Sequence, residues 1–270
     1  MNKSQLQQLI VEKQSCLCVG LDPDFDKMPA HLLQLEDPIF EFNKAIIDAT
    51  KPYCVAYKPN LAFYEAHGAK GWLSLQKTVD YIGDLHFKIA DAKRGDIGNT
   101  AKQYAKSVFE TLNFDAITLS PYMGHDSVEP FLSYDDKWVI LLALTSNKSA
   151  ENFQLLKTET DNYLFENIIQ KSLQWPNSHR IMYVVGATNA NYLSLVRKSA
   201  ANSFLLIPGI GAQGGNIKSV IENGATKNVN LLINVARSII YAGKGVDFQQ
   251  AVAAKAKEFQ QTIFKALSTT

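Results

Sequence analysis

Eight short apolar runs recur along the chain, each followed by enough residues for one helix, and this alternation constrains the fold more than any other feature. The runs are CLCVGLD (16–22), YCVAYK (53–58), HFKIAD (86–91), AITLS (116–120), WVILLAL (138–144), IMYVVG (181–186), SFLLIP (203–208) and LLINVA (231–236). Amphipathic segments such as FEFNKAIIDAT and TAKQYAKSVFETL lie between them, the second opening with Thr100 and Gln103 at capping-box spacing. Strand and helix in alternation imply parallel strands with right-handed crossovers. Eight such units favour a closed (β/α)8 TIM barrel of the α/β class over an open doubly wound sheet.

The chain has 270 residues, close to the usual size of one such barrel, about 250 residues. No Pro- or Ser-rich linker divides it, so residues 1–270 are expected to form a single domain. The longest interruption, 146–180, predicts an extra loop and short helix before the regular helix that follows the fifth strand. The last helix is expected to start at Asp247 as N-cap and to turn Phe248, Val252, Phe259 and Ile263 toward the barrel.

Composition removes several classes of function. With 27 basic and 26 acidic residues the net charge is +1, so neither a nucleic acid nor a membrane surface is expected as a partner. The N-terminal MNKSQLQQLIVEKQS lacks the apolar centre of a signal peptide and reads as an amphipathic helix with Leu6, Leu9 and Ile10 inward. No run approaches the roughly 18 apolar residues of a membrane span. Cysteines at 16, 18 and 54 are too few and too clustered for a disulfide framework, which predicts a reducing cytoplasmic location. Cys16 and Cys18 share a strand face, which permits a metal reading. Packing is favoured because no second ligand pair stands at zinc spacing.

The strand ends carry the chemistry. In a parallel barrel the active site forms at the C-terminal ends of the strands, and here these ends are charged: Asp22 in GLDP, Lys58 in YKPN, and Asp91 and Lys93 in ADAKRGDIGNT. Strand alternation predicts that Asp91 and Lys93 point the same way and that Lys58, one strand over, reaches them. Taken singly, each has a bland reading: a snorkelling rim lysine for Lys58, a structural ion pair for Asp91 with Lys93, a helix cap for Asp96. Their joint placement on adjacent strands points to a site, since an unpaired buried charge is costly and a neutralising cluster relieves that cost.

Two further segments complete the pattern. IPGIGAQGGN (207–216) places Gly209, Gly211 and Gly214 at G-x-G-x-x-G spacing. The segment comes late, and the next strand offers Asn230 and Asn234 in place of the acidic residue that would hold a ribose, so a dinucleotide site is rejected. A glycine-rich lid with Gln213 as its polar contact is the better reading. Arg237 follows the eighth strand at the start of a helix, where barrels often bind phosphate; its alternative is a surface arginine paired with a carboxylate.

DAKRGDI, with D-x-K-x-x-D spacing, resembles the signature of the orotidine 5'-phosphate decarboxylase family. The resemblance covers nearly the whole chain, through GLDP, YKPN, LTSNKS, PGIGAQGG and ARSI. PYMGHDSVEPF and the long 146–180 segment are similar to the longer bacterial branch. The resemblance implies decarboxylation of orotidine 5'-monophosphate without metal or organic cofactor, by a tetrad of Lys58, Asp91, Lys93 and Asp96. It also implies a homodimer in which Asp96, Ile97 and Thr100 cross the interface. Asp22 and Lys58 match ribose contacts, Ser146 a pyrimidine contact, Gln213 and Arg237 phosphate contacts, and Pro208 and Ile210 positions around base and lid. Ala236 departs from the glycine that many relatives carry before the phosphate-binding arginine, which puts that contact in question. Two other readings stay open: a magnesium-dependent sugar-phosphate enzyme of the same superfamily, against which Lys58 argues, and a non-catalytic nucleotide-binding barrel.

Overall fold

All eight runs become strands in the computed structural model, which describes residues 1–269. They are β1 (Leu17–Leu21), β2 (Ala56–Pro59), β3 (Phe87–Arg94), β4 (Ala116–Leu119), β5 (Trp138–Leu144), β6 (Ile181–Val185), β7 (Leu205–Ile207) and β8 (Leu231–Val235). Each pairs in parallel with its sequence neighbour, and β8 pairs with β1 to close the barrel. The runs are apolar on both faces because both are covered: one side fills the barrel and the other meets the helices. Val19, Ile89, Ile117, Ile140 and Ile233 are accordingly inaccessible to solvent.

The outer helices follow the expected amphipathic spacing. Pro38–Thr50 buries Phe42, Ile46 and Ile47, with Asp37 capping its start by accepting the Phe40 N–H. Phe42 stacks between Tyr241 and Phe248, with ring centroids 5.6 and 5.9 Å away. Phe248 opens the last helix, Phe248–Leu267, whose inward face also carries Val252 and Ile263. Burying such a phenylalanine is worth roughly 2–3 kcal/mol, so this aromatic stack helps hold the first and last quarters of the chain together. The N-terminal helix Lys3–Lys13 buries Leu6 and Ile10. Its start meets the N-terminal ends of the strands, where Trp138 Nε1–H donates to the Met1 carbonyl at 3.0 Å.

Several local expectations change. Asp247 does precede the last helix, but its side chain makes no capping bond. Thr100 and Gln103 form no capping box, because the helix Gly98–Lys106 begins two residues earlier with Ile97 at the N-cap. Gly98, at φ +55°, turns the chain into the helix directly after the β3 end, so Thr100 already lies in the first turn. Cys16, Cys18 and Cys54 are free and wholly buried. Burial pushes the thiols of Cys16 and Cys54 up to about 12, so they stay protonated and pack as small apolar groups.

The 146–180 segment contains the short turn Lys148–Asn152 and then the helix Leu164–Ser172. Gln154 ties it back to the β5 end, its Oε1 accepting the Thr145 N–H at 2.7 Å. No helix among the described residues is long and apolar enough to cross a membrane.

Candidate active site

At the C-terminal end of the barrel, β2 and β3 bring Lys58, Asp91 and Lys93 into one row. Lys58 Nζ lies 2.5 Å from Asp91 Oδ2, and Lys93 Nζ lies 2.5 Å from Asp91 Oδ1. Lys58 is only 4% exposed, whereas the Lys93 side chain is 51% exposed and faces the barrel mouth. Two ammonium groups thus flank one carboxylate, and the row is net positive.

The charge states follow from this geometry. Burial would raise the Asp91 carboxyl, but Lys58 and Lys93 outweigh it and hold the group well below the usual carboxylate range. Burial likewise works against the Lys58 ammonium, and Asp91 with Asp22 more than offsets it, keeping the lysine charged. Asp22, directly after β1, behaves in the opposite sense. Burial raises its carboxyl despite the pull of Lys58, and its Oδ1 is buried without a hydrogen-bond partner. A buried acceptor left open beside charged groups is suited to a ligand hydroxyl.

Lys93 does not reach its place by simple alternation. Pairing between β3 and β4 runs from Ala90↔Ile117 to Arg94↔Leu119, so β3 spends four residues where β4 spends two. The excess is a bulge in which Lys93 sits at φ +49°, a conformation non-glycine residues rarely adopt.

The remaining predicted residues ring the same end. Ser146 is half-buried after β5, packed so closely on Gly186 that a Cβ there would fall 2.6 Å from the Ser146 Cα. Pro208 and Ile210 follow β7, with the Pro208 carbonyl accepting the Ala187 N–H at 2.8 Å. The glycine-rich loop closes on itself, Gly215 N–H donating to the Gly209 carbonyl at 3.0 Å, and Gly209, Gly211 and Gly214 all have positive φ. The glycine spacing therefore answers turn geometry. Exposed Gln213 sits with its Oε1 over Gly209, and Arg237 opens the helix Arg237–Ile240 with its side chain exposed.

Asp96, Ile97 and Thr100 are not brought into the row. The Asp96 carboxylate accepts the Ile97 N–H at 2.9 Å and forms no ion pair among the described residues. Ile97 is 54% exposed, and Thr100 is exposed on the first turn of its helix.

Two contributors were not anticipated. Thr118 on β4 hydrogen-bonds Asp91, and its signal was present as a hydroxyl inside an otherwise apolar strand run. Tyr241 fixes the loop after β1, its hydroxyl donating to the Asp22 carbonyl at 2.6 Å and accepting the Asp24 N–H at 2.8 Å. Nothing in local sequence marks Tyr241, because the contact spans the barrel closure. Among the described residues no three His, Cys, Asp or Glu side chains converge as metal ligands would. A concavity of about 640 Å3 lined by Trp138, Arg180 and Phe204 lies at the opposite end of the barrel.

The profile of the Orotidine 5'-phosphate decarboxylase / HUMPS family matches residues 15–252. The chain belongs to this family. Orotidine 5'-phosphate decarboxylases of Flavobacterium johnsoniae and Christiangramia forsetii are 54% and 55% identical to it, each alignment covering at least 99% of both chains. The solved structure of Leishmania donovani OMP decarboxylase superposes with a TM-score of 0.80 at 36% identity, over 95% of this chain and 99% of that one. Membership in the family agrees with the closed parallel barrel and with charged strand ends at its C-terminal mouth.

Proposed function

We propose that this protein decarboxylates orotidine 5'-monophosphate to uridine 5'-monophosphate and CO2, the last step of de novo pyrimidine nucleotide synthesis, as one barrel domain spanning residues 1–270. The observation that carries the reading is the Lys58–Asp91–Lys93 row, with Asp91 gripped by two lysines at 2.5 Å each, in a chain aligned end to end with decarboxylases. A metal-dependent sugar-phosphate enzyme needs several acidic ligands converging at the strand ends; here both Asp91 oxygens are held by ammonium groups, and among the described residues no three His, Cys, Asp or Glu side chains converge.

The chemistry follows from the charges. Breaking the bond between C6 and the carboxylate leaves the electron pair in an sp2 orbital of C6, which the ring does not delocalise. Lys93 supplies a cation beside that carbon and then its Nζ proton, giving product and a neutral amine that solvent reprotonates. Asp91 stays ionised, holds Lys93 in place and repels the substrate carboxylate until CO2 departs. Lys58 and the open oxygen of Asp22 are positioned for ribose hydroxyls, and Ser146, Pro208 and Ile210 for the pyrimidine. Gln213 and Arg237 stand where remote phosphate binding couples to the reacting centre. In this reading Asp96, Ile97 and Thr100 serve the neighbouring protomer of a homodimer, which accounts for the absence of all three from the row and for the exposure of Ile97 and Thr100. No metal or organic cofactor takes part.

The test is loss of orotidine 5'-monophosphate absorbance by purified protein in excess chelator, beside a Lys93→Ala control. Conversion to uridine 5'-monophosphate that survives the chelator and drops on the order of 10³-fold or more in the control is expected. A folded, inactive wild-type protein, or one silenced by the chelator, would sink the assignment.

A further inference from the structure

The bulge that carries Lys93 needs something to hold it. Where β3 loops out between Ala90 and Arg94, the regular ladder to β4 is interrupted, and the buried N–H groups of Ala92 and Lys93 need acceptors outside it. The Thr118 hydroxyl supplies them. Its Oγ1 accepts the Ala92 N–H at 3.0 Å and the Lys93 N–H at 2.9 Å. Its own proton goes to Asp91 Oδ1 at 3.1 Å. A hydroxyl has two acceptor positions and one donor, so the capacity of this group is fully used. Thr118 is 1% exposed, which leaves no room for solvent to take over the role.

We propose that Thr118 is the positioning residue of the charged row: it pins the left-handed backbone from which Lys93 projects and turns Asp91 so that one oxygen faces Lys93 and the other faces Lys58. It acts through Asp91 and Lys93 and does not itself touch the substrate. This inference rests on the decarboxylase reading of the site and deepens it, since the reaction depends on where the Lys93 ammonium stands. The backbone around Lys93 is unfavourable for a side chain, so removing its two acceptor contacts lets the bulge relax and shifts the ammonium off the reacting carbon.

The experiment compares wild type with Thr118→Val, which keeps the shape and loses the hydroxyl, and Thr118→Ser, which keeps the hydroxyl. Turnover, KM, affinity for uridine 5'-monophosphate and amide hydrogen exchange at Ala92 and Lys93 are measured on the intact protein. Thr118→Val is expected to lower kcat about 100-fold, the scale of a misplaced catalytic group. KM and product affinity stay within about threefold, and the Ala92 and Lys93 amides exchange about tenfold faster or more. Thr118→Ser retains kcat within about threefold and keeps both amides protected. A Thr118→Val enzyme with wild-type kcat overturns the proposal, as does equal loss in both variants or loss of product affinity in parallel with kcat. If the valine variant does not fold, a tenfold or greater fall in the serine variant overturns it equally. Amide exchange separates this inference from the reading beneath it. An inactive wild type with the expected exchange pattern defeats the decarboxylase assignment while leaving the anchoring role of Thr118 in place.

Discussion

Asp22 shows what a single buried carboxyl costs in stability. Its carboxyl is raised above the ordinary value of 3.8 by burial. Above that value the unfolded chain ionises first, so stability falls as pH rises until the native carboxyl ionises as well. Asp22→Asn is expected to stabilise the ligand-free protein at neutral pH by roughly 1 kcal/mol, seen as about 2–4 °C in thermal unfolding. On the proposed function the same change is also expected to weaken binding of uridine 5'-monophosphate; a variant that gained no stability would show that the buried oxygen is relieved by solvent. Asp91 has the opposite sign. Its depressed carboxyl contributes stability above 3.8 that is lost only as pH falls further. Sequence alone marked Asp22, Lys58, Asp91 and Lys93 as chemical residues, because charges at the ends of apolar runs are costly anywhere else. It did not show that Asp91 and Asp22, both near Lys58, would be shifted in opposite directions. That depends on which carboxylate holds two ammonium groups.

At the level of elements, the barrel closure explains Ala236. A Cβ built on Gly20 of β1 would lie 2.6 Å from the Ala236 Cβ that follows β8. The Ala236 methyl therefore fills space that Gly20 leaves open, directed at β1. Gly20→Ala is expected to cost about 1–3 kcal/mol by overpacking, and adding Ala236→Gly recovers most of it. Denaturant midpoints of the two single variants and the pair form the cycle that measures this coupling; purely additive effects would refute it. Strand identities were legible because eight apolar runs admit few other arrangements. Helix starts were less so: Thr100 and Asp247 had the right chemistry for caps, yet the first lies inside its helix and the second makes no capping bond. Where the preceding strand releases the chain decides which residue meets the free N–H groups, and the β3 bulge with Gly98 sets that point.

At the scale of the whole molecule, the Asp96 side of the barrel mouth carries exposed apolar side chains. Ile97 is 54% exposed beside it, and Tyr122 and Met123, on the loop after β4, are 91% and 42% exposed. If a second protomer covers this edge and receives Asp96, inactive Lys93→Ala and Asp96→Ala chains complement one another. Co-refolding them in equal amounts is expected to restore about a quarter of wild-type activity, since half the dimers are mixed and each has one intact site. No recovery with mixed dimers present would place Asp96 in the site of its own chain.

The apolar period and the charged strand ends determined the barrel class, the charged end of the barrel and the Lys58–Asp91–Lys93 row, because periodicity and the cost of burying charge act locally. The rest came only with tertiary structure. The bulge that turns Lys93 to φ +49°, its anchor on Thr118 of the next strand, the Tyr241 clamp on the Asp22 loop and the seat of Ala236 against Gly20 all join residues on different strands or across the barrel closure. Their positions depend on register and closure, which no stretch of the chain specifies until its neighbours are in place.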